Sequence, residues 1–103
     1  MQAIRSIPLL LSGLLLFTPV KALAAIHNVT VGDNFFSPSQ LTIQVGDTVR
    51  WNNAGGGNPH NVTSNTGAWA PSGTSPSFVF EVVFNSPGTF NYRCTVHPVQ
   101  MTG

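Results

Sequence analysis

A single cysteine, Cys94, occurs in the 103 residues, so no internal disulfide can staple the fold, although small exported domains are commonly held that way. Charge is scarce too, with four Lys and Arg against three Asp and Glu. Beyond Lys21 the only basic residues are Arg50 and Arg93, too few for the stripe that neutralises phosphates, which argues against nucleic acid as a partner. No stretch after residue 25 repeats its apolar residues with the 3.6-residue period of a helix. The one long apolar run, residues 7–17, is too short to span a bilayer, so no stable membrane association is expected. A chain of this length holds one small domain, which excludes a multidomain enzyme.

The amino-terminal segment reads as an export signal. Arg5 supplies the positive start, residues 7–17 the apolar stretch, and Ala22-Leu23-Ala24 the small-x-small form of a cleavage site. This divides the chain into a signal at residues 1–24 and a domain at residues 25–103, and predicts a periplasmic or extracellular protein, or a lumenal one in a photosynthetic source. Cleavage removes two basic residues and no acidic one. The mature domain keeps two basic and three acidic residues, a net charge of about −1.

What the domain does contain is short β-branched or aromatic runs punctuated by Gly, Pro, Asn and Ser, which predicts an all-β fold. Strands are expected at residues 27–31, 41–45, 48–52, 60–64, 77–84 and 89–94. Gly46-Asp47 and Ser86-Pro87-Gly88 have the chemistry of tight turns. Alternation puts Leu41, Ile43 and Val45 on one face, continued by Val49 and Trp51, and Phe78, Phe80, Val82 and Phe84 on a second inner row. Val79 and Val83 on the reverse side predict partial cover there, as in a two-sheet Greek-key β-sandwich. In the last strand Phe90, Tyr92 and Cys94 share the inward phase, as do His60 and Val62.

The chemistry concentrates at the end of the chain. Cys94-Thr95-Val96-His97-Pro98-Val99-Gln100-Met101 packs a thiol, an imidazole and a thioether into eight residues, and His60 stands on a separate strand. One thiolate, two neutral imidazoles and a thioether suit copper in both oxidation states, since the sulfurs favour Cu(I) and the imidazoles serve either. Zinc also accepts Cys and His, but a neighbouring Met favours copper. A buried cysteine taken alone is more often a small hydrophobe; the company of His97, Met101 and His60 is what points to a metal.

These segments resemble the small blue-copper proteins of the cupredoxin family, in the plastocyanin, pseudoazurin and amicyanin group. The resemblance is carried by Phe36-Ser37-Pro38, by Val45-Gly46-Asp47-Thr48-Val49-Arg50-Trp51, by His60-Asn61-Val62, by Gly88-Thr89-Phe90-Asn91-Tyr92-Arg93-Cys94, and by Cys94-x-x-His97 followed by Met101. It implies an eight-strand sandwich with one copper ion at one end, held by His60, Cys94 and His97 with Met101 as a weak axial ligand. Gln100 is the alternative axial donor, because the spacing from His97 varies within the family. It further implies that Asn61 and Thr95 tether the ligand loop, that His97 is the electron port, and that Pro98 and Val99 belong to a docking patch. The implied function is one-electron transfer between exported redox partners by a monomer, with no substrate transformation. Relatives run on into a final strand after the ligand loop, so with Thr102-Gly103 last an open sheet edge is expected.

Four other readings stand beside this one. A copper carrier or storage module, or a zinc-binding sandwich without a redox role, would use the same donors. A Cys-His nucleophile would need an orienting acid and an oxyanion pocket, yet Asp33, Asp47 and Glu81 all lie elsewhere in the sequence. His27 would come third after cleavage at Ala24, where a free amine, two amides and an imidazole can bind Cu(II); a surface histidine opening the first strand is the plainer reading.

Overall fold

The computed structural model describes residues 23–55 and 57–103, so the export-signal reading falls almost wholly outside the described residues. Six strands form: β1 (Ile26–Gly32), β2 (Phe35–Ser37), β3 (Thr48–Asn53), β4 (Thr63–Ser64), β5 (Phe78–Val83) and β6 (Tyr92–Arg93). They make a four-stranded sheet in the order β2-β1-β3-β5 and a two-stranded sheet of β4 and β6. Strand β1 runs antiparallel to β2 and parallel to β3, with Val29 opposite Trp51, while β3 and β5 are antiparallel with Trp51 opposite Phe80. No described residue is helical.

Period-two alternation produces the core. Strand β3 buries Val49, Trp51 and Asn53 and leaves the residues between them half-buried, while β1 buries Val29 and Val31. Across the sandwich, Val62, Tyr92, Cys94 and Met101 close the other side. The Trp51 and Phe36 rings meet Tyr92 edge-on, with centroids 5.2 and 4.9 Å away, the arrangement aromatic quadrupoles favour. Trp69, from the segment between β4 and β5, packs on Trp51, Phe84 and Tyr92 and so caps the core.

Several expectations are corrected. Residues 41–45 form no ladder; Ile43 is half-buried, but Leu41 and Val45 are exposed. They border an open cleft of about 750 Å³, also lined by Phe84, Phe90 and Gly103, so their apolar side chains meet open space instead of a facing strand. Val79 and Val83 are exposed, because nothing among the described residues covers the outer face of β5. The strands expected at residues 60–64 and 89–94 shrink to two-residue pairings, extended by isolated bridges from His60 to Ser75 and from Arg93 to Thr102. Among the described residues, six strands therefore stand where the resemblance implies eight.

The turn at Gly46 is built as its sequence predicts: Gly46 takes a φ of 98°, open to glycine at little cost. It is anchored by Gly46 N–H donating to Phe84 O, and by Phe84 N–H donating to Asp47 O. The Asp47 carboxylate is buried and accepts from Ala25 N–H at 3.0 Å, Gln44 N–H at 3.1 Å and the His27 ring, whose Nε2 lies 2.8 Å away. These partners, led by the Ala25 amide, draw the Asp47 carboxyl down to about 2. His27 is thus a structural partner of Asp47 in this fold, beyond the plain surface histidine of the sequence reading.

Candidate metal centre

Two separate segments bring the donors together. His60 enters just before Asn61 and Val62, and its backbone exchanges two hydrogen bonds with Ser75. Cys94 follows β6 directly, where Tyr92 has already turned inward. The loop then folds back on itself: His97 N–H donates to Cys94 O, Met101 N–H to His97 O, and Cys94 N–H to Met101 O. This closed set of main-chain bonds puts Cys94, His97 and Met101 on one tight turn.

One ligand atom each from His60, Cys94 and His97 lies within 4.8 Å of the others. His60 Nδ1 is 3.9 Å from Cys94 Sγ, close to the separation of about 3.7 Å for nitrogen and sulfur bound at about 2.0 and 2.3 Å to one ion in a trigonal plane. The two imidazole rings stand 5.2 Å apart. His97 Nδ1 is buried with no hydrogen-bond partner, a costly state for a polar atom unless something else takes its lone pair. Met101, in the same loop as Cys94, is fully buried, and so are Cys94 and His60, while Gln100 is exposed. A soft sulfur pair with two nitrogens, one unsatisfied, fits a copper ion.

The surroundings fix this arrangement. Asn61, itself buried, donates from Nδ2 to Thr95 Oγ1 at 2.7 Å and to Thr74 Oγ1 at 2.9 Å. Its Oδ1 accepts from Thr95 N–H at 3.0 Å and Thr63 Oγ1–H at 2.9 Å. The residue after His60 is therefore tied to the residue after Cys94, as expected.

Sequence reasoning missed Asp33. This residue lies in the two-residue turn between β1 and β2, and its Oδ1 stands 3.0 Å from His60 Nε2. His60 and the Asn58 N–H hold its carboxyl below the usual carboxylate range. An ionised carboxylate only accepts, so Nε2 carries the proton and Nδ1 keeps its lone pair for the site. The one available signal was a lone acid in a Gly-Asp-Asn turn; its 27-residue separation from His60 is bridged only by the fold.

Asp33, His60 and Cys94 thus line up as an acid, a base and a thiol. That would suit a nucleophile, but Cys94 is fully buried, and a sulfur closed to solvent is closed to a substrate as well. The thiol-enzyme reading fails on access.

Comparison with known proteins agrees with the geometry. The family described as copper binding proteins, plastocyanin/azurin family, matches residues 24–103. A plastocyanin from Prochlorothrix hollandica is 31% identical over 107 residues, which cover 89% of this chain and 79% of the relative. Among solved structures, a purple cupredoxin from Nitrosopumilus maritimus aligns with a TM-score of 0.61 and 31% identity over 75% of this chain and 94% of that one. The amicyanin from Paracoccus versutus aligns with a TM-score of 0.59 and 29% identity over 82% and 80% of the two chains.

Proposed function

Because this chain belongs to the copper-binding plastocyanin/azurin family, we propose that it carries single electrons between exported redox proteins, with His60, Cys94, His97 and Met101 holding one copper ion. The observation that carries the proposal is the convergence of two imidazoles and the lone thiol, with His97 Nδ1 buried and unpartnered. A copper ion bound there supplies the redox chemistry, passing between Cu(II) and Cu(I) as one electron arrives and leaves.

The protein's own part is to hold the donors still and dry. His60, Cys94 and Met101 are closed to water, and the Asn61 network resists movement of the Cys94 loop relative to His60. Tyr92, Phe36 and Trp51 pack behind them as a rigid apolar wall. Little then has to rearrange when the charge changes. His97 is half-buried and serves as the electron port, beside the exposed Pro98 and Val99. With Val96, also exposed, these form a small apolar docking patch, suited to the short-lived encounters of electron transfer. A mature net charge of about −1 offers partners little long-range steering, and the domain acts as a monomer without transforming a substrate.

Export follows from the signal reading of residues 1–24. Cleavage there frees an α-ammonium at Ala25, whose nitrogen lies 3.0 Å from Asp47 Oδ1. Absorption and electron-resonance spectra of the copper-loaded protein test the function. The expected result is an intense blue band that vanishes in Cys94→Ser. A colourless wild type, or a blue Cys94→Ser, overturns the proposal.

A further inference from the structure

We propose that Asp33 is a positioning residue that sets the reduction potential of the copper site through His60; the proposal rests on the copper reading above. Three observations place it. The Asp33 Oδ1 to His60 Nε2 distance is 3.0 Å, a hydrogen bond to the nitrogen facing away from Cys94 Sγ. The carboxylate is seated from the other side by Asn58 N–H, 3.4 Å from the same oxygen. At residue 57 the chain passes so close that a Cβ on Gly57 would stand 2.9 Å from Oδ1 and 3.3 Å from Oδ2, so glycine there leaves room for the carboxylate.

His60 is closed to solvent, whereas the Asp33 side chain is about half exposed, at 54%. The imidazole therefore links a buried site to a negative charge at the surface. That charge acts in one direction. It makes the imidazole a stronger electron donor and favours Cu(II) over Cu(I), which lowers the potential. Partners of this kind alter metal affinity by about 10–100-fold, and solvent screening of a half-exposed carboxylate puts this one at the lower end. Only the difference between its effects on Cu(II) and Cu(I) moves the potential, so a tenfold change in preference, about 59 mV for one electron, is the upper bound. The same hydrogen bond fixes the His60 tautomer before any metal arrives.

Two variants separate charge from hydrogen bonding. Asp33→Asn keeps an oxygen that can accept from Nε2–H but removes the charge; its potential should rise, by up to about 59 mV, while the blue band persists. Asp33→Ala removes both, and nitrogen NMR of the metal-free protein should then show His60 as a mixture of tautomers, where the wild type and Asp33→Asn hold the proton on Nε2. A potential unchanged to within a twofold preference in Asp33→Asn overturns the charge argument. A single unchanged tautomer in Asp33→Ala overturns the positioning argument. The NMR readout needs no copper, so a failure of the copper reading appears separately, as a wild type that does not turn blue.

Discussion

Replacing Asn61 by alanine is expected to loosen the centre more than any other change outside the donors themselves. The side chain joins His60-Asn61 to Cys94-Thr95 through two hydrogen bonds, Nδ2–H to Thr95 Oγ1 and Thr95 N–H to Oδ1, and two more reach Thr74 and Thr63. Thr95 is exposed, so water can replace the partners its amide and hydroxyl lose. Each lost bond then costs about 1 kcal/mol net, and the two links to Thr95 together amount to about 2 kcal/mol. For a domain of 60–100 residues each kcal/mol moves the melting temperature by about 4–8 °C, which predicts a fall of about 8–16 °C in the metal-free protein. Thermal unfolding followed by circular dichroism measures this without involving the metal. A double-mutant cycle with Thr95→Val should give a coupling of about 1 kcal/mol. A loss below about 1 kcal/mol, or additivity of the two variants, would refute the idea that this amide ties the strands together.

Removing copper should lower the melting temperature, because an ion that binds only the folded chain at 100 times its dissociation constant adds about 2.7 kcal/mol; calorimetry giving identical melting with and without the metal would contradict the site. Met101→Leu, close in volume and confined to a fully buried position, should retain copper and raise the potential, so an unchanged spectrum and potential would remove Met101 from the site. Acid titration tests Asp47. Its folded-state value of about 2 lies below the unfolded value of about 3.9, so its stabilisation is complete above about pH 4 and is lost as the pH falls through about 2. Asp47→Asn should flatten the stability profile in that window, and equal slopes in the two proteins would show that the carboxylate contributes nothing.

Much of this molecule is legible in one dimension. Alternation along Val49 and Trp51 in β3, and along Val29 and Val31 in β1, marks the core face, because successive strand side chains must point to opposite sides of a sheet. The Cys94-x-x-His97 spacing announces a metal loop, because two intervening residues let both side chains turn to one point. The roles of Asn61 and Thr95 are legible through the family resemblance, which places such residues directly after His60 and Cys94. Other features depend on what lies opposite. Leu41, Val45, Val79 and Val83 have strand-like patterns and yet are exposed, since alternation specifies two faces but not whether anything covers them.

By itself the sequence determined the all-β class, the inward phase of Cys94 and His60, and the set of soft donors in the last loop, all of which follow from local spacing and residue chemistry. Tertiary structure alone decided that Asp33 meets His60 and Asp47 meets Ala25 and His27. Those contacts join residues 20 or more positions apart. A hydrogen bond across such a distance exists only once both ends have been folded into place, so no local pattern records it.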